Sequence, residues 1–118
     1  MTAKPPLSGV RVLDFGQVLA APYATMVLAD QGAEVIKIEP LTGEPTRGYV
    51  PPNVGGQSPY FLTVNRNKRG VALNIKTESG RDAVMALVKK SDVVVENFRA
   101  GVMDQLGIGY AAMKALNP

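Results

Sequence analysis

The stretch from Val10 to Ile38 constrains the fold more than any other part of this 118-residue chain. Residues 10–15 (VRVLDF), bounded by Gly9 and Gly16, read as a short strand. A loop follows, Gly16 to Ala21. Pro22 then takes a first helical position, where the N–H it lacks has no partner to lose. Residues 22–31 offer Ala24, Met26, Val27 and Leu28 to an inner face, and Gly32 is placed to stop the helix. Val35, Ile36 and Ile38 form the next strand. Strand, helix and strand within about thirty residues is the span of a right-handed βαβ crossover. Its two strands are therefore parallel.

The rest of the chain repeats this logic after an interruption. Residues 40–59 hold nine Gly or Pro in twenty positions and read as a long loop, either functional or a surface excursion. Order resumes at Tyr60, Phe61 and Leu62. The segment 65–70 (NRNKRG) reads as a solvated turn, and residues 71–75 as a strand. Thr77 is placed as an N-cap. Glu78 and Asp82 lie early in the following helix and Lys89 and Lys90 late, the order its dipole favours. Val84, Leu87 and Val88 are spaced to face a sheet. The valine run of 93–96 reads as a buried strand, and 101–106 and 110–116 as short helices. The expected fold is a single α/β domain, a parallel sheet with helices on both faces.

Composition narrows the chemistry. The chain has no Cys and no His, which removes disulfides, thiol nucleophiles, a His general base and Cys/His zinc sites. Net charge is +3 with the cations scattered, which permits an anionic ligand without demanding nucleic acid. NRNKRG lacks the aromatic interleaving of a single-strand binder. No apolar run approaches the ~20 residues of a membrane span, and Met1 to Pro6 hold no signal-peptide core. A soluble, cytoplasmic protein is the expectation.

Ligands of open parallel sheets bind beyond the carboxyl ends of the strands. Three such ends matter: Gly16 to Ala21, Asn74 to Thr77, and Asn97 to Gly101. The first leads into a helix N-terminus, which favours an anion. It lacks G-x-G-x-x-G, although Glu39 stands where a ribose-binding acid would be expected in a dinucleotide site. Leu73, Asn74, Ile75 and Lys76 end one strand with an ammonium. Asn97, Phe98 and Arg99 end another with an amide, a ring and a guanidinium. If these strands are adjacent, the two ends form a site for a phosphorylated, adenine-containing ligand. A solvated strand end with a core phenylalanine is the competing reading. Asp14 lies within a strand and Glu96 at the end of another, and no paired carboxylates suit acid–base work.

Three long stretches carry a resemblance: PLSGVRVLDFGQVLAAPYATMVLADQGAEVIKIE, NRNKRGVALNIKTESGR and DVVVENFRAGVMDQLGIGY. In this order, from about Pro6 to Pro118, they resemble the amino-terminal end of the family III CoA-transferases. That group includes formyl-CoA transferase, carnitine CoA-transferase and α-methylacyl-CoA racemase. The resemblance implies the amino-terminal part, residues 1–118, of a Rossmann-like CoA-binding domain, incomplete in this chain. It implies that Leu73, Asn74, Ile75 and Lys76 meet the adenosine-phosphate end of coenzyme A. It also implies that Asn97, Phe98 and Arg99 lie against the cofactor and that Val18, Leu19 and Ala20 approach the pantetheine and thioester.

The implied partners are an acyl-CoA and a free carboxylic acid. No metal, nucleic acid or membrane is implied, and the family assembles as interlocked homodimers. In that chemistry a catalytic Asp attacks the thioester and CoA is passed on through an aspartyl thioester. The matching Asp, like the racemase branch's His, falls outside this sequence, so no catalytic residue is expected in it and the chain alone is expected to be inactive. A racemase, a non-catalytic acyl-CoA-binding module and an unstable fragment are the alternatives. Leu19 stands where the formyl-CoA branch has Gln, and Pro40 and Gln105 stand where other members have Arg. The missing Gln argues against a strict formyl- or oxalyl-CoA enzyme, and the two missing cations imply weaker phosphate binding or its shift to Lys76 and Arg99.

Overall fold

The computed structural model describes residues 3–118. Its elements run β1 (Arg11–Asp14), α1 (Ala20–Asp30), β2 (Glu34–Glu39), a 3-10 turn (Pro45–Gly48), α2 (Pro59–Asn65), β3 (Lys68–Ala72), α3 (Glu78–Val88), β4 (Val93–Val95), α4 (Val102–Gln105) and α5 (Tyr110–Leu116). The four strands form one parallel sheet in the order β3-β2-β1-β4. Leu13 is opposite Ile36 on one side and Val94 on the other. The chain thus builds outward from β1 through β2 to β3, then returns across β1 to place β4. The switch point lies between β1 and β4, where open α/β sheets bind their ligands.

Strand alternation divides the core into two faces. Leu13, Phe15, Ile36 and Ile38 pack with Val84 and Val88 of α3, Met103 of α4 and Met113 of α5. Val12 and Val35 pack with Ala29 of α1 and with Ala33. The expected sheet with helices on both faces is what forms. Among the described residues no helix is long and apolar enough to cross a membrane.

Several local expectations meet their physical tests. Thr77 caps α3, its hydroxyl accepting Gly80 N–H at 3.2 Å. Gly32, with φ of +98°, ends the first helix. That helix starts two residues earlier than predicted, so Pro22 is its third residue, still within the turn whose N–H groups lack helical partners.

Other expectations are corrected. The valine run is an edge strand rather than a buried one, with Val93 exposed and Val94 and Val95 half-buried. β3 spans 68–72 rather than 71–75, so the solvated turn shrinks to Arg66 and Asn67: Asn65 ends α2, and Lys68, Arg69 and Gly70 lie in the sheet. The segment 40–59 is not uniformly irregular. It contains the 3-10 turn, and Glu44, Thr46 and Ser58 within it are buried. Helix α2 was not anticipated, although Ser58 followed by Pro59 is a capped start, and the Ser58 hydroxyl does accept Phe61 N–H at 3.3 Å.

Candidate functional site

A cavity of about 540 Å³ lies beyond the carboxyl ends of the strands. Phe15 and Gln17 enter it from the end of β1, and Ile38, Pro40, Leu41 and Thr42 from the end of β2. Leu73 to Lys76 enter after β3, and Phe98, Val102 and Leu106 after β4. Its size is that of a small-molecule site. The wall is largely apolar, and Lys76 is the charged side chain among the described lining residues. Such a surface takes a ligand with an apolar or aromatic body and an anionic group.

The structure sorts the predicted residues. Leu73, Asn74, Ile75, Lys76 and Phe98 line the cavity. The condition of adjacency is not met: β3 and β4 are opposite edges of the sheet. Their ends nevertheless line one cavity: Leu73 N–H continues the β2 ladder by donating to Glu39 C=O at 2.9 Å, and an Asn74 side-chain turn follows, its Oδ1 accepting Lys76 N–H at 3.2 Å. Val18, Leu19, Ala20, Asn97 and Arg99 are exposed and do not line the cavity. Asn97 also bonds within the chain. It accepts Gln17 N–H at 2.8 Å and donates to Gln17 C=O at 2.9 Å. Gln17 lies within the Gly16 to Ala21 strand end and Pro40 is a position where family members vary; Leu41 and Thr42 are lining residues that the sequence does not single out. The strand-end rule, applied to β2 as well, finds Pro40 to Thr42.

Beneath the β1–α1 loop the sheet carries charge. Residues 35, 37 and 39 share one face of β2, and with Val12 and Asp14 of β1 that face passes from apolar to ionic toward its carboxyl end. Asp14, Lys37, Glu39 and Glu44 are all buried. Lys68 Nζ gives its three protons to Asp14 Oδ2 at 2.8 Å, Pro22 C=O at 2.9 Å and Asn65 Oδ1 at 2.9 Å. Burial pushes the Lys68 ammonium below its ordinary pKa, with the Asp14 carboxylate pulling the other way. Asp14 is completed by Thr25 Oγ1 at 2.6 Å and Gly16 N–H at 2.7 Å.

Lys37 donates to Gly16 C=O at 2.7 Å and lies 2.5 Å from Glu44 Oε2. That oxygen accepts no well-aligned hydrogen bond, so the contact is ionic in character. Glu44 Oε1 accepts from Thr46 Oγ1 and from Val18 N–H. Glu39 is gripped by both Nε and Nη2 of Arg47 at 2.7 Å and accepts Glu44 N–H at 3.0 Å. Arg47 in turn lies 3.8 Å above the Phe61 ring. Burial raises the Glu39 pKa, but the Arg47 fork and the Glu44 N–H outweigh it and leave the carboxyl below its ordinary range. With both its oxygens engaged, Glu39 is not presented to a ribose, which removes the residue that a dinucleotide site would use.

The family model for CoA-transferase family III matches residues 7–118. The chain belongs to this family. It is 49% identical to the succinyl-CoA:glutarate CoA-transferase of Mus musculus over 96% of its own length and 26% of that protein's. It is 48% identical to the acetyl-CoA:oxalate CoA-transferase of Acetobacter aceti, covering 98% of this chain and 30% of the relative. The crystal structure of a CAIB/BAIF family protein from Brucella suis superposes with a TM-score of 0.93 at 41% identity, over 98% of this chain and 32% of that one. The chain therefore spans about a quarter to a third of the length of the relatives it matches.

Proposed function

We propose that this chain is the amino-terminal part of the CoA-binding domain of a transferase that moves coenzyme A between an acyl-CoA and a carboxylic acid. The observation that carries this reading is the convergence of the turns after β3 and β4 on one apolar cavity with Lys76 as its cation. In it, Asn74 to Lys76 meet the adenosine-phosphate end and Phe98 packs against the ligand's apolar part. The exposed Val18, Leu19 and Ala20 face the thioester from the neighbouring loop. Arg99, outside the cavity, contributes long-range charge only. Pairing of two such chains as a homodimer belongs to the same reading.

No Asp or Glu is among the described residues that line the cavity, and the buried carboxylates Asp14, Glu39 and Glu44 are all engaged in ion pairs. This supports a chain that binds the cofactor and leaves nucleophilic attack to a carboxylate from elsewhere. The test is a thermal melt with CoA, with NAD as control. A ligand that binds the folded state raises the melting temperature. A rise with CoA alone is expected; no rise with CoA, or an equal rise with NAD, would overturn the reading.

A further inference from the structure

The loop between β1 and α1 is held in a strained shape by groups far from it in sequence. Val18 has φ of +65°, a left-handed conformation that a β-branched residue adopts only when its surroundings impose it. Glu44 Oε1 accepts its N–H at 3.2 Å. Lys37 Nζ donates to the carbonyl of Gly16 at 2.7 Å. Asn97 takes both backbone groups of the residue between, Gln17.

Lys37 and Glu44 have side chains only 2% and 1% exposed. Burying an ion pair carries a desolvation cost that the mutual attraction offsets only in part, and two apolar side chains of similar volume commonly serve stability as well. An apolar pair would supply neither a donor for Gly16 nor an acceptor for Val18. The pair stands where the backbone is strained, and it connects two walls of the cavity. Pro40, Leu41 and Thr42 form one wall, Gln17 part of the other, and Glu44 joins the first segment to the second.

We infer that Lys37 and Glu44 are positioning residues for the cofactor cavity, holding Gly16 to Val18 in the turn that presents Gln17 to the ligand. The role assigned to the ligand rests on the CoA reading above; the clamp itself does not. Replacing the pair by Lys37→Met/Glu44→Leu in the whole chain separates positioning from stability. Exchange of the Val18 amide, followed by NMR, is expected to quicken by about tenfold or more. CoA affinity, measured by calorimetry, is expected to fall by about tenfold while a cooperative melt is kept. Adding Val18→Gly in that background restores most of the affinity, because glycine holds a positive φ unaided.

An unchanged Val18 exchange rate, or undiminished CoA affinity in the folded double variant, overturns the inference. Val18→Pro covers the case in which the double variant does not fold. It forbids the positive φ and removes the N–H at an exposed position while leaving the buried pair intact. Affinity equal to that of the unsubstituted chain in Val18→Pro overturns the inference equally. Failure of the unsubstituted chain to bind CoA would sink the CoA reading, and Val18 exchange would then decide the clamp alone.

Discussion

Asn97 and Gln17, eighty residues apart in the chain, exchange two hydrogen bonds in which the Asn97 amide stands in for a strand partner. Gln17 has left β1 and Asn97 has left β4, so the ladder between these strands is continued by one side chain. Asn97→Ala is expected to destabilise the fold by about 1–2 kcal/mol, the sum of two ordinary hydrogen bonds at a partly solvated site. The check is a lower denaturant midpoint at unchanged slope. CoA affinity should fall with it, since Gln17 lines the cavity.

Lys76 and Arg99 should differ in their effect on binding, although each lies four residues beyond a strand. Lys76 lines the cavity and Arg99 does not. Lys76→Ala is expected to weaken CoA by roughly ten- to a hundredfold, the loss of a hydrogen bond to a charged group. Arg99→Ala should have a smaller effect that fades as salt is raised. Calorimetric titration at two ionic strengths decides; equal losses in the two variants would contradict the assignment.

Gly80 is held by close packing rather than by backbone freedom. A Cβ there would lie 1.9 Å from the carbonyl oxygen of Asn74, deep inside contact distance. Gly80→Ala must push α3 away from the turn that presents Lys76. The expected cost is about 1–3 kcal/mol or more, together with weaker CoA binding. A melt and a titration on the same variant check both, and a variant as stable as the parent would show that the turn yields easily.

Acid should weaken the fold through Glu39. Burial opposes its ionisation, yet the Arg47 fork holds its pKa below the ordinary 4.5. A carboxyl depressed in the folded state stabilises it fully above its unfolded pKa, and that contribution is lost as pH falls through the folded value. Stability should therefore decline below about pH 4.5, with Asp30 and Glu34 adding to the trend because arginines lower both. Arg47→Ala strands a carboxylate that is 6% exposed. Because Arg47 itself is 40% exposed, the expected loss at neutral pH is about 1–3 kcal/mol rather than the larger cost of a wholly buried pair. The variant should also lose less stability on acidification. Melts of both proteins between neutral and acid pH measure the difference.

By itself the sequence determined the local events and the lineage. Val10 to Ile38 announces a βαβ unit, Thr77 a cap and Gly32 a stop, because each depends on neighbours within a few positions. The three stretches that carry the family resemblance are equally legible, and the family match confirms them. Tertiary structure alone decided which charges are solvated. Lys37 and Lys68 have no local mark that separates them from Lys89 or Lys90, yet the side chains of both are withdrawn from solvent, because their acceptors come from other elements: Gly16 and Glu44 for one, Asp14, Pro22 and Asn65 for the other. Strand order likewise put β3 and β4 on opposite edges, and only the turns that follow them bring Lys76 and Phe98 to one cavity. Burying a charge is favourable only where partners converge from several segments, and no window of sequence contains them all.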